Sequence, residues 1–365
     1  MAEVLGVGVS HYPPFSGRDA DMAGILRGRL ADPDIPASAK DPAGWPPAMQ
    51  DEWGTDRGVA AAARHRSAML NGLRRVRHAI DDFKPDVVVI WGDDQYENFR
   101  EDMVPAFCVH AYEDMTVFPW KQATASAMVG AKTEDEWGGG KPNVWNEAAG
   151  TGFLVRGHRD AAKAIASGLL ESDFDVAYAY RPLHHPGLPH AFLNAILYLD
   201  NDRAGFPYPV VPFAINCYGR QVISYRGFTS RWSERGRPPD PPSPAPRRCF
   251  DLGAAVGRIC RASPWRVALV ASSSWSHAFL VDKTWRLQPD VDADLALYDA
   301  MVAGDYAAWR SRPLDRIEES GQQEMLNWFA LMGAMQALGA PLVWSEFVET
   351  RVFNSSKVAA VFTPV

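Results

Sequence analysis

The sequence predicts an α/β fold: a central, mostly parallel mixed sheet with helices on both faces, in a three-layer sandwich. Three observations carry this. Short runs such as "VLGVGV", "VVVIW" and "VALVA" are apolar throughout, whereas a strand with one wet face alternates. Between such runs lie segments whose apolar residues recur every three or four positions, the period of an amphipathic helix. Several strands also run directly into polar clusters, and the strand ends of an open α/β sheet are where ligands gather.

The elements follow in order. "EVLGVGVSH" is a first buried strand ending at His11, and "YPPF" turns the chain away. Residues 17–57, rich in Pro, Gly, Asp and Trp, are an excursion with a short helical hint at "ADMAGILRGRLA". From Arg57 to Phe83 a long amphipathic helix runs to "KPD", and the strand "VVVIW" follows it. After an irregular, Trp-bearing stretch at 113–150, "RDAAKAIASGLLESDF" is a helix, "DVAYAY" a strand, "HAFLNAILYLD" a helix and "YPVVPFAIN" a strand. The proline-rich "RGRPPDPPSPAPRR" is a solvated loop; "FDLGAAVGRICRA" is helical, "WRVALVASS" is a buried strand, and 290–339 is mostly helical. A single domain over residues 1–365 is expected, with insertions at about 17–57, 113–150 and 226–248.

Composition narrows the function. With 365 residues, 47% of them hydrophobic, the chain can bury a full core. A net charge of −7 with no basic stripe argues against nucleic acid as a partner. Cys108, Cys217, Cys249 and Cys260 form no CxxC or zinc spacing, and all but Cys249 lie in apolar contexts, which fits a reducing, cytoplasmic setting. No signal-like start and no membrane-spanning apolar window is seen. GxGxxG after a strand, P-loop and GxSxG motifs are missing, and "GGGK" at 138–141 reads as a flexible turn.

What remains is chemistry at strand ends. His11 follows the first strand, Asp93 to Glu97 the second, His184, His185 and His190 follow "DVAYAY", and His277 follows a late strand. Several histidines converging on one sheet edge point to a metal or acid/base site. The Trp residues of the insertions, Trp45, Trp53, Trp120, Trp137 and Trp145, either stack on a planar substrate or fasten the insertions to the body.

In their order, "GVSHYPPF", "GDDQYENFREDMVPAFCV", "PHAFLNAILYL", "PYPVVPFAIN", "ASSSWSHAF" and "QQEMLNWFALMGAM" resemble the class III extradiol ring-cleavage dioxygenases, the superfamily of the protocatechuate 4,5-dioxygenase β subunit. The resemblance implies that family's α/β sandwich and a non-haem Fe(II) held by two His and one Glu. Residue by residue it places the first iron histidine at His11 and the iron carboxylate at Glu324. The position of the second histidine holds Gln95. The implied metal set is therefore His11, Gln95 and Glu324, with Asp94 or His65 as substitutes for Gln95. His277 and His190 match the family's acid/base histidines, with His184 and His185 as rivals for the second role. Tyr12, Asp94 and His185 are expected to contact substrate, and Asp94 could equally orient His11.

The activity so implied is oxygenation or cleavage of a catechol-like ring, with O₂ and a small aromatic substrate as the partners. A family-based lean to homo-oligomers and a small partner subunit come with it. Gln95, a weak neutral donor in place of an imidazole, keeps two other readings open: a non-catalytic partner subunit, and a metal-dependent hydrolase or lyase acting on an aromatic substrate.

Overall fold

The computed structural model describes residues 2–122, 143–225 and 232–365. Trp137 and the "GGGK" turn lie outside them. Among the described residues ten strands are formed: β1 (Val4–Val9), β2 (Val87–Asp93), β3 (Phe107–His110), β4 (Met115–Val117), β5 (Phe153–Val155), β6 (Ala177–Ala179), β7 (Val210–Ile215), β8 (Val267–Ser272), β9 (Leu342–Val348) and β10 (Lys357–Phe362). Eight of them make one sheet in the order β6-β3-β7-β2-β8-β1-β10-β9, while β4 and β5 pair separately. The centre of the sheet, β7-β2-β8-β1, is parallel throughout. Antiparallel pairings occur where β3 meets β7, β1 meets β10 and β10 meets β9, so the sheet is mixed.

The longer helices are α1 (Val59–Phe83), α2 (Arg159–Leu170), α3 (His190–Leu199), α4 (Pro246–Ala262), α5 (Val291–Val302) and α6 (Leu326–Leu338). They cover both faces, and the alternation of side chains along a strand sorts the core accordingly. Val87, Val89 and Trp91 of β2 pack with Phe250 and Val256 of α4 and Leu326 and Phe329 of α6. Val88 and Ile90 turn the other way, into a second core with Leu73, Val76 and Ile80 of α1 and Leu193 and Leu197 of α3.

Two glycines set how closely helices approach the site edge. A Cβ on Gly8 would lie 2.0 Å from the Trp328 ring, so α6 packs directly onto the β1 backbone. A Cβ on Gly92 would lie 2.8 Å from Phe192, so its absence lets the first turn of α3 reach the end of β2.

Some elements differ from the sequence reading. β6 is three residues long, not six, because it lies at the sheet edge with Tyr178 and Tyr180 turned to solvent. α4 begins at Pro246, inside the expected proline-rich loop, and this turns Cys249 into the core with the other three cysteines, all unpaired. The 17–57 excursion forms short helices whose Met22, Leu26, Trp45, Met49 and Trp53 join the α1-side core. Its Glu52 accepts from the backbone N–H groups of Arg351 (2.7 Å) and Val352 (3.0 Å), fastening the excursion to the loop before β10. Among the described residues no helix is long and apolar enough to cross a membrane.

Gly8→Ala is expected to push the Trp328 ring out of a filled core and cost about 1–3 kcal/mol. Denaturant unfolding reads this directly, and a variant as stable as the parent would contradict the close approach.

Candidate active site

Because β1, β8, β2 and β7 run parallel, their C-terminal ends lie along one edge. His11 follows β1, Asp93 ends β2, Tyr218 follows β7, and Ser272 ends β8 ahead of His277. His190 opens α3, and Glu324 sits in the single 3-10 turn Gln323–Met325 that precedes α6.

His11 is buried, with Nδ1 3.0 Å from Ser272 Oγ. The Ser272 hydroxyl donates its own proton to the Ala191 carbonyl (2.7 Å), so it receives Nδ1–H and leaves a lone pair on His11 Nε2. That nitrogen lies 3.7 Å from Asp93 Oδ1 and 3.5 Å from Glu324 Oε2. Neither Asp93 oxygen has a hydrogen-bond partner, and neither has Glu324 Oε2. Glu324 Oε1 is engaged: it accepts from Gln95 Nε2 (2.8 Å) and Tyr218 OH (2.7 Å), with His277 Nε2 at 3.3 Å. His190 Nδ1 is 2.9 Å from Glu97 Oε2, its backbone N–H donates to Glu97 Oε1 (3.1 Å), and its ring stands edge-on to His11 with centroids 5.0 Å apart.

Burial costs charged groups dearly, and the direction of each pKa follows. Burial pushes Asp93 up to about 6. Burial, and then the Asp93 charge, drive Glu324 well above the carboxylate range. Burial opposes the charged form of Glu97, but the His190 charge overrides it and holds Glu97 down to about 2. His190 shows the mirror image: Glu97 overcomes burial and lifts the ring to about 10. Burial lowers His277 to about 3 and takes His11 well below its usual value.

The loop after β2 is organised by Asp94, whose carboxylate accepts backbone N–H groups from Glu97 (2.9 Å), Asn98 (3.0 Å) and Phe99 (3.3 Å). Tyr96 takes a left-handed φ of +63° within it. This tight turn directs Gln95 and Glu97 to the cluster and engages the Asp94 carboxylate with the loop's own backbone rather than with His11. Tyr12, also expected at the substrate, donates its hydroxyl to the Met22 carbonyl (2.9 Å) and carries Lys357 Nζ over its ring. His185 is buried, with Nδ1 accepting from Gly187 N–H, and makes no hydrogen bond to the cluster. His184 pairs with Asp102 at 2.9 Å, and His65 packs on Phe353 in the α1-side core.

Of the expected residues, then, the structure brings together His11, Gln95, Glu324, His277 and His190. Sequence reasoning placed Asp93 and Glu97 at the strand end without giving either a role, and passed over Tyr218 and Ser272. Asp93 had a signal: it lies two residues beyond Trp91, hence on the same face of β2 as the side of the core from which Glu324 comes. Among the described residues, the group whose ligand atoms lie within 4.8 Å of one another is His11, Asp93 and His190. Two imidazoles beside carboxylate oxygens without partners fit a first-row divalent ion.

No family model matches the chain. It is 25% identical over 225 residues to a 2,3-dihydroxyphenylpropionate/2,3-dihydroxicinnamic acid 1,2-dioxygenase of Photorhabdus laumondii, covering 61% of this chain and 53% of the relative. It is 30% identical over 204 residues to the protein of that name from Burkholderia vietnamiensis (56% and 47%), and 30% identical over 211 residues to that of Paraburkholderia phymatum (58% and 49%). The chain spans about half the length of the curated relatives it matches.

Asp294 ties the two site loops together, accepting Ser276 N–H (3.0 Å), next to His277, and Gln322 Nε2 (2.8 Å), next to the Glu324 turn. Burial pushes its carboxyl up to about 8. An unfolded Asp ionises near about 3.9. Between these values the folded chain holds a proton that the unfolded chain lacks, so this group makes stability fall as pH rises from about 4 to about 8. Asp294→Asn is expected to flatten that fall, which has a limiting slope of about 1.4 kcal/mol per pH unit. Unfolding midpoints of parent and variant at pH 5 and 8 check it; parallel curves would refute it.

Proposed function

We propose that the chain is a non-haem Fe(II)-dependent dioxygenase that opens or oxygenates a catechol-like ring with O₂. The observation that carries this reading is the buried cluster at the parallel strand ends, where a neutral His11 nitrogen faces carboxylate oxygens that have no other partner. The relatives support the reaction class, being named as dioxygenases of a dihydroxylated aromatic acid. The family resemblance offers His11, Gln95 and Glu324 to hold the iron, and Asp93 and His190 stand beside His11. When bound, Fe(II) supplies a Lewis acid and a source of electrons that bring catechol and O₂ into reaction.

The protein's own groups do the rest. Ser272 fixes the His11 tautomer, and Tyr218 and Gln95 fix the Glu324 carboxylate. His277 is the proton acceptor for the substrate hydroxyl: its Nε2 lies against Glu324, and its Nδ1 is buried without a partner. Its backbone is held on both sides, by N–H to the Gly321 carbonyl (2.7 Å) and by a bridge to Ser355, so the ring is preorganised. The strand and helix layers around the cluster exclude bulk water.

O₂ uptake by the Fe(II)-loaded protein on 2,3-dihydroxyphenylpropionate and related catechols tests the reading. Oxygen consumption with a ring-opened product is expected. Bound metal without oxygen consumption would favour hydrolytic or lyase chemistry, and no metal binding would favour a non-catalytic partner subunit; either would refute the proposal. His277→Ala is expected to lower kcat by about 10²- to 10⁴-fold while iron content stays at the parent level. Full activity in that variant would remove His277 from the mechanism.

A further inference from the structure

We infer that the metal-binding set of this chain is His11, Asp93 and His190, oriented by Ser272 and Glu97, and that Gln95 is a positioning residue for Glu324 and not a ligand. The inference rests on the reading of the strand-end cluster as a metal-dependent oxygenase centre, and it replaces the donor set carried over from the family.

Four observations lead to it. The ligand atoms of these three residues lie within 4.8 Å of one another, and Glu324 falls outside the group. Asp93 is fully buried with no close hydrogen-bond donor on either carboxylate oxygen, only the His190 ring and the Gln95 amide favouring its charge from nearby, an arrangement that a bound cation would complete. Both histidines have Nδ1 committed, His11 to Ser272 and His190 to the buried Glu97 carboxylate, which leaves Nε2 on each ring. A metal-bound histidine characteristically donates its other ring N–H to such a partner, which fixes the ring and raises its basicity.

Gln95 is arranged for a different task. An amide binds a metal through its oxygen, but here the amide nitrogen faces Glu324 Oε1 at 2.8 Å and also meets Tyr218 OH. Held this way, the amide serves as a donor to Glu324. The chain thus keeps a two-histidine, one-carboxylate set suited to Fe(II) or Mn(II), with the carboxylate supplied by the last residue of β2 and the second imidazole by the first residue of α3.

The test is a titration of the full chain, stripped with a chelator, using Mn(II) followed by the EPR signal of the free ion, and Fe(II) under anaerobic conditions. The parent is expected to bind a single ion. Glu97→Gln should weaken binding by about 10- to 100-fold, Asp93→Asn should weaken it at least as much, and Gln95→Ala should leave it close to the parent's. Asp93→Asn keeps the side chain's shape and removes a buried charge, so folding is retained; circular dichroism checks this, and His190→Gln is a second ligand variant. A Gln95→Ala protein that loses the ion while Asp93→Asn keeps it overturns the inference, as does a parent that binds neither metal. The expected pattern without O₂ uptake on any catechol would sink the dioxygenase reading and leave this site standing. Ring cleavage by a protein whose metal affinity is indifferent to Asp93 would do the reverse.

Discussion

Asp93, Glu97 and Glu324 are buried together behind the ends of four parallel strands, in a place where each unpaired charge costs several kcal/mol. Much of the surrounding structure answers that constraint. Glu97 is met by His190, which the bare backbone at Gly92 allows close to the end of β2. One Glu324 oxygen is met by Tyr218 and Gln95. Asp94, buried in the same turn, accepts three backbone N–H groups and so shapes the loop that carries Gln95 and Glu97. The Asp93 oxygens and the second Glu324 oxygen are left, both close to His11 Nε2. A divalent cation would balance such a remainder.

The outer parts of the fold hold this arrangement in register. α6 lies directly on β1 because Gly8 has no side chain, and this sets the height of the Glu324 turn relative to His11. Asp294 links the His277 loop to the same turn, and Glu52 fastens the 17–57 excursion to the segment before β10, where Ser355 bridges to His277. The excursion therefore supports the site through backbone contacts. Trp45 and Trp53 pack edge to face within the core, and Trp145 lies against Arg203 and Tyr198, so these aromatics fasten the insertions to the body.

The sheet was legible in the sequence because "VLGVGV", "VVVIW" and "VALVA" have no polar position that a wet face would need, and their order with the helices follows from periodicity. The edge on which the chemistry gathers was legible too, since parallel strands put His11, the Asp93–Glu97 stretch and His277 at the same end. Which acid faces the cluster was not. Asp93 and Asp94 are adjacent and chemically alike, and strand phase decides between them: Asp93 completes β2 on the Trp91 side, and Asp94 already belongs to the turn. The Glu97 to His190 pair spans 93 positions, and Tyr218 reaches Glu324 from another strand end, so neither contact leaves a local pattern. Gln95 stood out for its type, but its amide orientation depends on Glu324 and Tyr218, which only the fold brings beside it.

Where a metal sits at this strand edge decides between the two donor sets. Anomalous diffraction at the iron absorption edge, from crystals grown anaerobically with Fe(II), locates it directly. One peak bonded to His11, with Asp93 and His190 completing the set and Gln95 still hydrogen-bonded to Glu324, is the result this structure predicts. A peak held by Gln95 and Glu324 with Asp93 unbound, or no peak at this edge of the sheet at saturating Fe(II), would contradict it.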